Sequence, residues 1–322
     1  MPKTTYDHIA SNNFKTWILI FSFPLSLLFL FFAILYIGLF ATTPEPVDNA
    51  LILEQTIYYT KHFGIWMFGI GFVWMLFVLN QAPNMMLGFA KAKELKRGEQ
   101  ENRHIYLLVE NTALAAGLPC PKIYVINDDS LNAFATGMSP KNSAVALTSG
   151  IIKKLSPMEL QGVIAHEMAH IGNRDCKLHG MIISGLSIFG FLAEMLMRVK
   201  FSSSKSNNSK GSVEIVFLAV MLTLFVFHFL VAPLLKFAVL RTREYAADAT
   251  AALITRNPQA LADALRKISK DSRVEVLDSA SQMAIACIQT PLKKEAFSLS
   301  QTHPPIQDRI KRLEEMAGRI SI

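Results

Sequence analysis

The apolar positions of this chain follow two regimes, long uninterrupted runs and short periodic ones. From Trp17 to Ala41 there is no charged residue, and about 25 helical residues extend roughly 38 Å, enough to cross a hydrocarbon core. The run is too long for a signal-peptide core and no small-x-small cleavage site follows, so a retained transmembrane helix is expected. A second uncharged run, Phe63 to Leu79 and more weakly to Ala90, returns the chain. Glu45, Asp48 and Glu54 against Lys61 lie between the two, while Lys91, Lys93, Lys96 and Arg97 follow the second. By the positive-inside rule the amino-terminal end and the bulk of the chain then face the cytoplasm. A second apolar pair runs from Met181 to Met197, interrupted by Glu194, and from Ile215 to Leu235, broken by His228 and Pro233. The polar, low-complexity linker between them, 201–212, is expected to be disordered. Arg198, Lys200, Lys205 and Lys210 give that connection the wrong sign for an outside loop. Either the pair spans against the rule, or one segment is a hairpin or an interior helix. Trp17, Trp66 and Trp74 are either interfacial anchors or buried packing residues.

The remaining segments carry shorter signals. A helix is expected from about Asn102 to Ala116, ended by Gly117 and Pro119. Strand-like stretches follow at 122–126, 133–136 and 143–148, each bounded by turn formers. Ser156, Pro157 and Glu159 signal a capped helix running through His170. Asn257 and Pro258 start another to about Lys270, and a final one covers Ile306 to Ala317. The fold class is therefore α+β and mainly helical, with transmembrane helices and a small β-sheet packed on the 156–170 helix. The last strand immediately precedes that helix, so its free edge either pairs with an extended substrate or belongs to a plain hairpin. The domains expected are a membrane region at 1–90, a soluble domain in two parts at 91–177 and 241–322, and further hydrophobic helices at 178–240.

Composition narrows the partners. Of 322 residues, 51% are hydrophobic, and the mean hydropathy is +0.31, which suits membrane segments joined to a soluble part. The net charge of +7 has no basic run interleaved with aromatics, so nucleic acid is excluded and the lipid bilayer is the partner. Cys120, Cys176 and Cys287 are too few and scattered for a disulfide framework and fit free thiols on the reducing side of a membrane.

The candidate chemistry sits on the 156–170 helix. His166 and His170, four residues apart, leave one face and can grip one metal ion, with Glu167 beside them as a base for a metal-bound water. The bland alternative is an amphipathic helix, but Leu160, Val163, Ile164, Met168 and Ile171 make this helix apolar on most sides. For a third ligand, Cys176 lacks a preceding glycine to turn the chain back, since Asn173 stands there. Glu244 is the stronger candidate, with Asp248 one turn on to hold a histidine N–H, unless Arg241, Arg243, Glu244 and Asp248 are only surface charge pairs. Leu240 to Glu244 is about 6 Å of helical rise, so the metal is expected near the membrane surface. His228 is either a fourth metal group or a packed histidine.

His166-Glu167-Met168-Ala169-His170 with Asn173-Arg174-Asp175, then Arg243-Glu244 with Ala247-Asp248, then Thr302-His303-Pro304-Pro305 with Arg309, Ile310 and Leu313, resembles the HtpX membrane metallopeptidases, relatives of the CAAX prenyl proteases. The resemblance covers nearly the whole chain. It implies a zincin-like (gluzincin) catalytic domain with one Zn2+ per subunit, held by His166, His170 and Glu244, with Glu167 catalytic. It also implies a multi-pass protein of the inner or plasma membrane that degrades misfolded or damaged membrane proteins in quality control and stress response, and a cleft lined by Asn132 and Ala133. His303, ahead of two prolines, either donates to the developing oxyanion or makes a local contact. The rival functions are a site-specific processing protease of CAAX type and a non-catalytic membrane scaffold.

Overall fold

The computed structural model describes residues 5–43, 48–98, 103–180, 232–270 and 304–320. The expected segments at 181–197, 201–212 and 215–231, with His228 and His303, lie outside the described residues. The chain divides into two compact units, one of 16–79 with 184–235 and one of 1–15, 80–183 and 236–322.

The first of these units holds most of helices α1 (Thr5–Thr42) and α2 (Asn49–Phe89), which form over both uncharged runs and extend beyond them. They pack through small-residue contacts: a Cβ on Gly64 would come 2.5 Å from Leu28 Cδ1, and one on Gly71 2.7 Å from Leu27 Cδ1. Phe21 and Phe72 stack across the pair at 6.4 Å. No single helix among the described residues is long and apolar enough to cross a membrane. Pro24 lies inside α1, which runs as one helix from Thr5 to Thr42, and Pro24–Phe40 is a shorter apolar stretch within it. In α2 the pieces Asn49–Phe77 and Leu79–Phe89 meet at 47°, and together have the length and composition of a span. The ring of Pro83 crowds the carbonyl four residues earlier, at Leu79, where the bend falls. The alternative that the tryptophans are buried is overturned: Trp66 is 70% exposed, and Trp17 and Trp74 are exposed with it. Ile65, Phe29 and Val73 also turn outward, more apolar surface than water tolerates.

The second unit is built round a four-stranded mixed sheet of β1 (Lys93–Glu94), β2 (Lys122–Ile126), β3 (Ala133–Ser139) and β4 (Asn142–Thr148), in the order β1-β2-β4-β3. β2 and β4 run parallel, with Ile123 opposite Val145; β3 and β4 are antiparallel, with Ala133 opposite Leu147. The expectation of a free edge on the last strand is therefore corrected. β4 is flanked on both sides, and β3 is the edge. Gly137, at φ 138°, takes the bulged position that lets the register shift between Gly137 and Ser139. Helix α4 (Ser149–Lys154), capped by Thr148, intervenes before the histidine helix α5 (Pro157–Gly172).

Helix α3 (Arg103–Ala115) ends where Gly117 turns left-handed and Leu118 N–H reaches back to Ala113 O at 3.0 Å. Helices α6 (Ala232–Thr255), α7 (Pro258–Ile268) and α8 (Ile306–Ile320) complete the unit. A Cβ on Gly162 would stand 3.1 Å from the Leu261 backbone, so only glycine admits α7 this close to α5. The core joins Val109 of α3, Val145 of β4, Met168 of α5, Ala251 of α6, Leu265 of α7 and Leu313 of α8. Five helices thus meet one sheet around the middle of α5, and burial of that apolar surface drives the assembly.

Candidate metal centre

Helix α5 begins with a complete capping box. Ser156 N–H donates to Glu159 Oε2 at 2.7 Å, and Glu159 N–H to Ser156 Oγ at 3.4 Å. Lys267 of α7 also donates to Glu159 Oε2 at 2.7 Å. Burial alone would raise the Glu159 pKa; Lys267 and the Ser156 N–H outweigh it, and the carboxyl ends below its ordinary value.

One turn apart in the buried half of α5, the His166 and His170 rings meet edge to face at 4.7 Å, and their Nε2 atoms lie 3.1 Å apart. Helix α6 brings Glu244 to the same point: Oε2 lies 3.7 Å from His166 Nε2 and Oε1 3.5 Å from His170 Nε2. One donor atom from each of His166, His170 and Glu244 falls within 4.8 Å of the others, and all three residues are buried.

Each ring is anchored from behind. His170 Nδ1 is hydrogen-bonded to Asp175 Oδ2 at 2.9 Å, and His166 Nδ1 lies 3.0 Å from Asp248 Oδ1 in a charge contact outside ideal hydrogen-bond geometry. Nδ1–H on both rings leaves two Nε2 lone pairs pointing into one small space, an arrangement that a shared cation relieves. The carboxylates are supported in turn. Arg309 of α8 donates to Asp248 through Nε and Nη2, both at 2.8 Å, and its Nη1 lies 3.3 Å from Glu244 Oε2. Arg243 Nη1 lies 3.2 Å from Asp175 Oδ1.

The titration behaviour follows from this packing. Burial opposes protonation of His166, but Asp248 and then Glu244 outweigh it and lift its pKa to about 9. His170 is raised in the same way, burial being outweighed by Asp175. Burial would raise Asp248, but Arg309 holds it down at about 2. Glu167 is raised by burial, and its carboxylate oxygens make no hydrogen bond of normal geometry, although the Ala135 N–H of β3 exerts a weak opposing pull. His179, 6.0 Å from His170 ring to ring, is pushed down to about 3 by burial and by its charged neighbours.

Charge counting tests the fit of a metal. Glu167, Asp175, Glu244 and Asp248 are four buried carboxylates, and Arg243 and Arg309 two buried guanidiniums. With both imidazoles neutral, as metal ligands must be, two negative charges remain for one divalent cation to balance; without it, the raised histidine pKa values let two protons take its place. The donor set of two imidazoles and one carboxylate is that of zinc sites with an open fourth position.

The structure brings His166, His170, Glu244 and Asp248 together, with Glu167 on the same helix. The surface-pair reading of Arg243, Glu244 and Asp248 falls, because all three are buried. Cys176 is not in the donor cluster, and burial pushes its thiol well above the ordinary range. The missing glycine is also corrected: Arg174 itself turns left-handed, at φ 60°, and the residue the turn delivers to His170 is Asp175. Asn132 and Ala133 are buried at the start of β3, where Asn132 N–H donates to Thr148 Oγ1 at 3.1 Å and Ala133 N–H to Asn132 Oδ1 at 2.9 Å. Sequence reading gave Asp175 and Arg309 no role beyond the motif match, and overlooked His179.

Residues 99–317 match the family model of peptidase family M48. A protease HtpX homolog of Bacteroides fragilis is 36% identical over 314 residues, covering 95% of this chain and 97% of the relative. A protease HtpX homolog of Dictyoglomus thermophilum is also 36% identical, over 99% of this chain and 97% of its own. The crystal structure of S. mikatae Ste24p aligns with a TM-score of 0.42 at 20% identity, over 94% of this chain and 67% of that one. The resemblance carried by the three motifs is borne out. The chain belongs to peptidase family M48 and is a metalloprotease.

Proposed function

From membership of that family, we propose that the chain is a multi-pass membrane endopeptidase that uses one Zn2+ per subunit to cleave misfolded or damaged membrane proteins. The observation that carries this reading is the buried cluster of His166, His170 and Glu244, with their donor atoms within 4.8 Å and two negative charges to balance. When bound there, zinc supplies a Lewis acid that acidifies water and polarises a peptide carbonyl.

The residues around it do the rest. Asp248 and Asp175 hold the imidazoles with their Nε2 atoms turned inward. Glu167 takes the proton of the attacking water and returns it to the leaving amine; burial raises its pKa towards the range such a base needs. β3, the edge strand beside α5, offers main-chain donors and acceptors to an extended substrate, with Asn132 and Ala133 at its start. Edge pairing reads backbone rather than side chains and suits a protease that accepts many sequences. His303 is assigned to the developing oxyanion.

Residues 1–90 and 178–240 form the membrane region, and 91–177 with 241–322 a zincin-like peptidase domain of the gluzincin type facing the cytoplasm. The outward apolar side chains of α1 and α2 support lipid contact. The apolar start of α6 continues as one helix into Glu244, which supports membrane proteins as substrates.

The test is casein hydrolysis by the full-length protein, with and without chelator and zinc add-back. Glu167→Gln is expected to keep its zinc and lose about 10²–10⁴ in kcat. Retained turnover refutes the base assignment, and chelator-insensitive turnover refutes the metal. Proteomics of cells carrying Glu167→Gln as a trap then separates many unfolded membrane proteins from a single prenylated carboxy-terminal motif.

A further inference from the structure

We propose that Arg309 is a positioning residue of the metal centre: carried in by α8, it clamps Asp248 behind His166 and steadies Glu244, so that docking of α8 completes the ligand set. The inference rests on the ligand assignment proposed above.

Arg309 is fully buried, a costly place for a guanidinium unless its partners repay the desolvation. Its contacts are specific rather than diffuse. Nε and Nη2 form a two-pronged bond to the two oxygens of Asp248, each at 2.8 Å. That bond fixes the plane of the Asp248 carboxylate, and Oδ1, shared with Nη2, is the oxygen 3.0 Å from His166 Nδ1. Nη1, the remaining arm, lies 3.3 Å from Glu244 Oε2. Nη2 also lies 3.4 Å from His166 Nε2, so one side chain touches both His166 and Glu244 and the carboxylate that supports His166. The guanidinium thus reaches the Asp248 carboxylate and the Glu244 carboxylate together.

The element that presents Arg309 is held for the purpose. Ile310 and Leu313 of α8 are buried in the core beside α7, Arg266 of α7 pairs with Glu314, and Arg312 lies 3.8 Å over the Tyr245 ring of α6. These contacts set the register of α8 on both neighbours, and with it the place of the guanidinium.

The test uses full-length protein in detergent, with zinc affinity from competition against a chromophoric chelator, kcat and KM on a casein-derived peptide, and thermal unfolding. Arg309→Met is expected to bind zinc about 10–100-fold more weakly, with kcat lowered and KM unchanged. Arg309→Lys keeps the charge but not the fork and is expected between Met and wild type. The double variant Asp248→Asn with Arg309→Met should lose little beyond the worse single one, as members of one unit do. A lower melting temperature with wild-type zinc affinity and kcat overturns the inference. Should the Met variant fail to fold, the Lys variant decides: wild-type affinity and kcat there overturn it, weakened zinc binding supports it. A wild-type protein that binds no zinc removes the ligand assignment itself, a different result from a zinc-replete wild type whose Arg309 variants are unaffected.

Discussion

Behind His166 stands Asp248, and behind Asp248 stands Arg309; behind His170 stands Asp175, and behind it Arg243. The two relays share their chemistry and are tight at different links, the guanidinium link on the His166 side and the ring link on the His170 side. Arg309 grips Asp248 at two points, and the attraction of Asp248 and Glu244 overcomes burial and raises its pKa. Arg243 meets Asp175 at 3.2 Å, its Nη1 and Nη2 make no hydrogen bond of normal geometry among the described residues, and burial wins, lowering its pKa. The same residue type thus ends with opposite shifts, because Arg309 sets Asp248, Glu244 and Glu167 against its burial, whereas Arg243 sets Asp175. The His166 side is fixed from outside the α5 helix; the His170 side is fixed by the turn that follows it.

The sharpest break is to remove a ring. His170→Ala is expected to abolish both bound zinc and turnover, measured by metal analysis and casein hydrolysis; metal content equal to wild type would remove His170 from the ligand set. Next comes the comparison of the two supports. Asp248→Asn and Asp175→Asn should each weaken zinc binding by about 10–100-fold, with Asp248→Asn at the upper end because it also strands the fully buried Arg309. Equal losses would erase the distinction between the relays. The smallest effect lies at the far end of α5. Ser156→Ala should cost about 1 kcal/mol in denaturant unfolding and leave zinc affinity untouched. Glu159, whose pKa falls on folding, stabilises the helix start fully above its ordinary value of 4.5, and that contribution disappears as pH drops through the lower folded value. Ser156→Ala should therefore matter less in acid than at neutral pH.

The helix carrying the histidines was fully legible, since Ser156, Pro157 and Glu159 are local signals and the i, i+4 spacing is local geometry. Glu244 and Asp248 were legible for the same reason, being one turn apart. Asp175 was not, because its role depends on Arg174 adopting a conformation that sequence pattern disfavours for a non-glycine residue. Arg309 stood out only as a member of the third motif: nothing along α8 gives it a role until α8 is docked against Asp248 and Glu244. The sheet misled in one respect. β4 looks like an edge when read in chain order, but its parallel pairing with β2 places it inside. In α1 charge counting foresaw the apolar run, and the helix continues through Pro24 to Thr42.

The position of Arg309 in the chain also orders events during synthesis. It is translated 143 residues after His166 and 61 after Asp248, so a nascent polypeptide displays both zinc-helix histidines long before the group that squares them up exists. A ribosome-bound precursor would be a poor protease towards its own unfolded segments, and competence would arrive only once α8 had emerged and found its seat.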